Sequence, residues 1–144
     1  MYGKVDQRAF TLTEVVVVIT ILAILAAFAV PRFTRMESQA RLASAQALAG
    51  SIRSTAALAH ALWLASGQPA NVRMEGRPVP IVMVNGYPSR ATIDDTLTDL
   101  TGFTYNAGNG VFHRTGFANC SVTYTNAPAN GSPEIAIEAT AANC

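Results

Sequence analysis

The sequence predicts an α+β protein: a long N-terminal α-helix, apolar in its first half and amphipathic in its second, packed against a small antiparallel β-sheet. Three observations predict it. Phe10 to Val30, FTLTEVVVVITILAILAAFAV, is an apolar run with one formal charge, Glu14. From Arg32 to Ser66, polar and apolar residues recur with a helical period. Beyond Gly67, short alternating runs are separated by clusters of Asn, Gly and Pro. The chain has 144 residues, of which about 114 lie beyond the apolar run, enough for one modest core.

Residues 1–9, MYGKVDQRA, are too short and polar to form structure of their own. Lys4 and Arg8 have the character of the positive flank of an export signal. The run that follows is long enough to cross a hydrocarbon core, which takes roughly twenty apolar residues. A carboxylate inside such a run is costly and usually marks function, which singles out Glu14. Two plainer readings compete. In one, the segment is an ordinary secretory signal cut after Ala27-Phe28-Ala29, so that the mature chain begins near Val30 and Glu14 is discarded. In the other, it is a plain single-pass anchor. Glu14 and the helical sequence continuing past Pro31 weigh against the signal. Charge counting does not orient the segment, because Arg32, Arg35 and Arg41 follow it closely.

In residues 32–66 a polar stripe recurs every seven positions: Arg32, Gln39, Gln46, Arg53 and His60. At about 100° per residue, Leu48, Ile52, Ala59, Leu62 and Trp63 fall on the opposite side, and Ile52 and Trp63 are candidates for the core. Ala40, Ala43, Ala45, Ala47 and Ala49 flank the stripe and permit close backbone approach. Gly67 and Pro69 end the helix. A helix from Phe10 to Ser66 would be a rod of roughly 85 Å, bent or loosened at Pro31, which lacks a backbone donor. A head of under eighty residues cannot cover such a rod, so its first half must find lipid or other copies.

After Gly67, Pro80 to Val84 reads as a strand ending in the Asn85-Gly86 turn. Thr92 to Leu100 reads as a short helix with Thr92 and Asp95 at capping-box spacing. Phe103 to Tyr105 and Val111 to His113 form a hairpin around Asn106 to Gly110. Cys120 to Thr125 and Glu134 to Ala139 alternate as two further strands, for a sheet of about four. Cys120 and Cys144, behind an export-like segment, predict a disulfide formed outside the cytoplasm, with two free thiols as the alternative. The bridge would contribute roughly 3 kcal/mol, and it places this end of the chain outside.

Composition excludes several functions. A net charge of +1 gives no footprint for nucleic acid. With charged residues at only 13%, the chain suits a subunit that buries its surface against copies of itself. His60 and His113 lack metal-ligand spacing, so no metal is predicted. Asp94, Asp95 and Asp99 could supply oxygens for calcium, but an exposed, capped helix is the better account. No nucleophile has a base and orienter in view, so no enzyme and no cofactor are predicted. Asn119-Cys120-Ser121 and Asn130-Gly131-Ser132 match the glycosylation triplet and are read as chance.

The stretch FTLTEVVVVITILAILAAFAVPRF, behind its short basic leader, resembles the N-terminus of type IV pilins and pseudopilins. Further on, PRFTRMESQARLASAQALAGSIRSTAALAHA and VNGYPSRATIDDTL resemble the mannose-sensitive haemagglutinin branch of these pilins. The sequence departs from the family at Ala9, where a Gly is usual, and at Thr13, where an apolar residue is common. The resemblance implies the pilin fold, with residues 1–9 as a leader, 10–31 as membrane and assembly helix, 32–66 as its amphipathic continuation and 67–144 as the head. It implies that a prepilin peptidase cuts after Ala9 and methylates the new amine of Phe10. Subunits then pass from the inner membrane, head in the periplasm, through assembly machinery into an extracellular filament that supports attachment. Glu14 would pair with the Phe10 amine of a neighbouring copy, and Pro31 would let the helix bend between the two environments. The Cys120–Cys144 pairing fits a pilin's C-terminal region. A pseudopilin or minor pilin of a secretion or DNA-uptake system is the second reading, and a secreted or anchored binding module the third.

Overall fold

The computed structural model describes residues 10–144, in the order α1 (Leu12–Ala65), β1 (Asn71–Val72), β2 (Ile81–Val84), β3 (Tyr87–Pro88), a 3₁₀ turn (Asp94–Thr96), β4 (Phe103–Asn106), β5 (Val111–Arg114), β6 (Phe117–Thr125) and β7 (Glu134–Ile137). It is the α+β architecture expected, one long helix with small antiparallel sheets. The chain divides into two units, one ending at Glu37 and one spanning Ser38–Cys144.

α1 starts and stops where its terminal chemistry dictates. Its N-terminus is a capping box: the Glu14 carboxylate accepts from the Thr11 backbone N–H at 2.9 Å and the Thr11 hydroxyl at 2.7 Å, while the Thr11 hydroxyl accepts from the Glu14 N–H at 3.3 Å. Its C-terminus is a Schellman motif. Gly67 takes a left-handed φ of 79°, Gln68 N–H bonds to Trp63 C=O at 2.9 Å and Gly67 N–H to Leu64 C=O at 3.4 Å. The helix continues through Pro31.

In the second unit, α1 buries Ala45, Leu48, Ala49, Ile52, Ala56 and Ala59. Ala45 and Ala49 are fully buried and allow β-strand side chains to sit directly on the helix backbone. The opposing surface comes from β5 and β6 through Phe112, Cys120, Val122 and Tyr124, with Ile93 and Leu97 closing one side. Ile52 is core, as expected. Trp63 is only partly buried and lies outside that cluster.

Four strands form one antiparallel sheet in the order β4-β5-β6-β7, and β1-β2-β3 form a second, three-stranded one that the sequence did not suggest. β1 and β3 are two residues each, too short to show alternation. The β2–β3 hairpin turns on Asn85 and Gly86, both at positive φ, with Val84 paired to Tyr87. β6 begins at Phe117, three residues earlier than predicted, because Thr115-Gly116 makes a tight turn that pairs Arg114 with Phe117. The helix expected over Thr92 to Leu100 is a single 3₁₀ turn. Thr92 does not cap it; its hydroxyl instead accepts from Val82 N–H at 3.1 Å, tying the segment to the β2 ladder. Burial, and then the neighbouring Asp95, push the Asp94 carboxyl up.

Two tyrosines fasten the sheet to the loop after β3. Tyr124 donates to Pro88 C=O at 2.6 Å and Tyr105 donates to Arg90 C=O. Burial pushes the Tyr105 hydroxyl up to about 12, and also raises that of Tyr124. The loop between β6 and β7 is pinned in turn: Asn126 accepts from Arg90 N–H at 2.7 Å, and Asn85 donates to Ala127 C=O at 2.7 Å.

Candidate functional site

Among the described residues of its own unit, nothing covers the apolar segment. Phe10, Leu12, Phe28 and Phe33 are 75%, 79%, 72% and 69% exposed, and none of the most apolar window of α1 is buried. The helix is therefore long and apolar enough to cross a membrane, with every large side chain from Val15 to Ile24 pointing into open space. Its polar side chains are satisfied locally: Thr20 donates to Val17 C=O at 2.8 Å and Thr34 to Pro31 C=O at 3.1 Å. An apolar medium demands such pairing, because it offers no water to bonding groups.

Glu14 is the exception. Its Oε2 takes both Thr11 donors, which leaves Oε1 with no bond among the described residues. The capping box also brings the carboxylate back to within one residue of Phe10. So Glu14, one of the predicted site residues, is tied to Thr11, the chain neighbour of Phe10, at the start of α1. Thr11 was missed, although the Thr-x-x-Glu spacing that announces it is legible in the sequence. Ala9 lies outside the described residues. Pro31 stands further along the same helix, where Leu25, Phe28, Ala29, Arg32, Phe33 and Met36 share a neighbouring face.

Cys120 and Cys144 belong to the head. They are disulfide-bonded, with Cα atoms 4.8 Å apart and a separation of 24 positions in sequence. Both are buried, and the bridge joins β6 to the segment after β7. Arg41 of α1 holds the bridged end: its Nε donates to Cys144 C=O and its guanidinium lies 4.2 Å from the centre of the Phe117 ring. Arg41 was counted only as a charge near the apolar run, yet it sits on the side of α1 that faces the sheet.

His60 is likewise more than part of a solvated stripe. Its ring stacks on Tyr87 at 4.2 Å and on Trp63 at 5.7 Å, and its Nδ1 lies 2.6 Å from Gly86 C=O. A repeat of seven falls about 20° short of two helical turns, so the stripe drifts with each heptad. Gln39 and Gln46 are exposed, Arg53 reaches Ile135 C=O at 3.2 Å, and His60 arrives at the edge of the buried face.

Residues 4–30 match the family model of the prokaryotic N-terminal methylation motif. The chain is also 46% identical over 52 residues to the type IV narrow pilus major component PilA5 of Thermus thermophilus, an alignment covering 36% of this chain and 45% of the relative. The chain thus spans less than half the length of the curated relative it matches. No solved structure matches. The two matches concern an N-terminal methylation motif and a major component of a type IV narrow pilus.

Proposed function

We propose that this chain, which carries the prokaryotic N-terminal methylation motif and resembles a type IV pilus component over 52 residues, is the structural subunit of a pilus filament that supports surface attachment. A prepilin peptidase cuts between Ala9 and Phe10 and methylates the Phe10 amine. The subunit waits in the inner membrane with its head in the periplasm, where the Cys120–Cys144 bridge can form and persist. Assembly machinery then draws it into a homopolymer outside the cell, apolar helices inward.

The observation that carries this reading is the uncovered apolar segment with its one carboxylate. A soluble protein does not leave an apolar face of this length in water, so lipid or other copies must cover it. Glu14 supplies the register. Oε1 is open, and a neighbour's Phe10 amine would give it an opposite charge at the one depth where the two meet. An unpaired carboxylate in an apolar bundle is penalised, so a misplaced subunit is rejected.

The second half of α1 supports the same reading. Ala40, Ala43, Ala47, Gly50, Ser54, Ala57 and Ala61 recur at alternating spacings of three and four and are all exposed, along a face of α1 that does not pack on the sheet. Small residues on a helix face let another helix approach closely. In the filament that other helix is a second copy.

The test is the mature N-terminus together with the sheared surface material. Methylated Phe10 in a dominant filament band is the expected result. A mature chain beginning near Val30, or one recovered as a water-soluble monomer, would overturn the proposal.

A further inference from the structure

Near the end of its apolar stretch, α1 carries a groove of about 610 Å³ that the register argument at Glu14 does not use. Leu25, Phe28, Ala29, Arg32, Phe33 and Met36 line it. At 100° per residue, Phe28 and Phe33 project to either side of Leu25 and Ala29, which make the floor. Ala29 is half-buried, while every other residue from Phe10 to Arg32 is exposed. A small side chain between two rings thus opens a slot in an otherwise convex surface.

The slot is apolar along its length and cationic at one end. From Leu25 to Arg32 is about 10 Å along the axis, within the depth of about 15 Å that one leaflet gives its acyl chains. Arg32 projects about 20° from Leu25, so it heads the groove, and Arg35 projects about 80° from Leu25, on the side of Phe28. Neither arginine makes a hydrogen bond or ion pair among the described residues. Glu37, the next carboxylate along the chain, projects about 140° from Arg32 and about 160° from Arg35. Two guanidiniums one turn apart therefore stand where the apolar run ends, with no carboxylate on their side of the helix.

Lys and Arg concentrate on the cytoplasmic side of membrane spans. With the head in the periplasm, Arg32 and Arg35 lie instead at the outer surface of the inner membrane, where an anion offsets them. A guanidinium fork suits a phosphate, to which it donates two parallel N–H bonds. A second copy of α1 in the same orientation would bring two more arginines to the same depth and repel the first pair. A zwitterionic lipid carries its own cation beside the phosphate, whereas an anionic lipid does not. We propose that the groove holds an anionic phospholipid of the outer leaflet, its acyl chain between Phe28 and Phe33 and its phosphate on Arg32 and Arg35. This proposal rests on the orientation given above, with the head outside.

The full chain is reconstituted at high dilution into phosphatidylcholine vesicles containing a trace of spin-labelled phosphatidylglycerol or spin-labelled phosphatidylcholine. Electron paramagnetic resonance reads the immobilised fraction of each lipid. A basic residue at a membrane surface is worth about fivefold toward an anionic lipid, so phosphatidylglycerol should be enriched over phosphatidylcholine by about fivefold or more. Arg32→Gln combined with Arg35→Gln removes exposed, unbonded groups, so it should abolish the preference and leave the helical circular dichroism unchanged. Lys4 and Arg8 are present in both chains and cancel in the comparison. Ala29→Phe fills the slot but keeps both charges, and it should weaken the preference as well. The idea fails if the parent shows no preference, or if either variant matches the parent. Displacement of the lipid by inorganic phosphate at constant ionic strength would make this a free-anion site and overturn it. Cross-linking of two copies through the groove would do the same, by putting a second helix there. The measurement needs neither cleavage nor a filament, so its failure leaves the pilus reading standing. A mature chain beginning near Val30 would remove that reading instead.

Discussion

Replacing Cys120 and Cys144 together by alanine tests how far the head depends on its cross-link. The bridge closes a loop of 24 sequence positions, and on the chain-entropy model a loop of that size stabilises by about 3.5 kcal/mol. Both cysteines are buried, at 0% and 4% exposure, so losing two sulfur atoms also leaves small voids worth about 1 kcal/mol together. A loss of about 4.5 kcal/mol follows, which in a head of this size lowers the melting temperature by roughly 15 °C or more. The entropic part acts on the unfolded chain. The surviving fold should therefore keep its far-UV spectrum and Trp63 emission at low temperature while unfolding far earlier.

Urea denaturation of the full chain in detergent, followed by Trp63 emission, measures this loss, with the reduced parent as a second route to the same state. The two should agree to within about 1 kcal/mol, the part assigned to voids. A variant less than about 1 kcal/mol weaker than the parent would refute the reasoning. It would mean that Arg41, by gripping Cys144 C=O and Phe117, already holds this end of the chain without the bridge.

Five further substitutions separate the other arguments. Glu14→Gln keeps an acceptor for the Thr11 donors but not the charge, so N-terminal mass should show normal cleavage while filament yield collapses; abundant normal filaments would leave Glu14 only its capping role. Gly110→Ala meets Tyr124 C=O at 2.2 Å and a φ of +76°, whereas Gly116→Ala meets nothing within 4 Å at a φ of +84°. The second should therefore lose about 1 kcal/mol in urea denaturation and the first clearly more, and equal losses would remove the clash argument. Gly50→Leu has open space and gains helix propensity, so it should stabilise the head by about 0.5–1 kcal/mol while cutting filament yield in micrographs. Tyr105 ionises near 12 in the fold and near 10 when unfolded, so its contribution is complete below pH 10 and is lost as pH rises from 10 to 12. Tyr105→Phe should flatten that alkaline decline in thermal melts.

The fold was legible where one physical cause dominates. An uninterrupted apolar run, a Gly-x-Pro stop and an Asn-Gly turn each leave few alternatives, and α1, its end at Ala65 and the turn after β2 stand where those signals put them. It was less legible where distant parts of the chain compete for the same group. Thr92 has the spacing of a helix cap, but a nearby strand edge offers its hydroxyl Val82 N–H, and the predicted helix shrinks to one 3₁₀ turn. The heptad stripe was real, yet a fixed wheel could not show that its drift carries His60 into contact with Tyr87. Of the candidate site, the charge at Glu14 and the cysteine pair were visible because each is rare in its surroundings, whereas Thr11 was one of many threonines. The same contrast separates the two ends of this protein. The head closes on itself, so its residues are explained by contacts within one chain. Among the described residues, the segment around Glu14 leaves apolar faces and a carboxylate oxygen without partners, so no contact within one chain explains them.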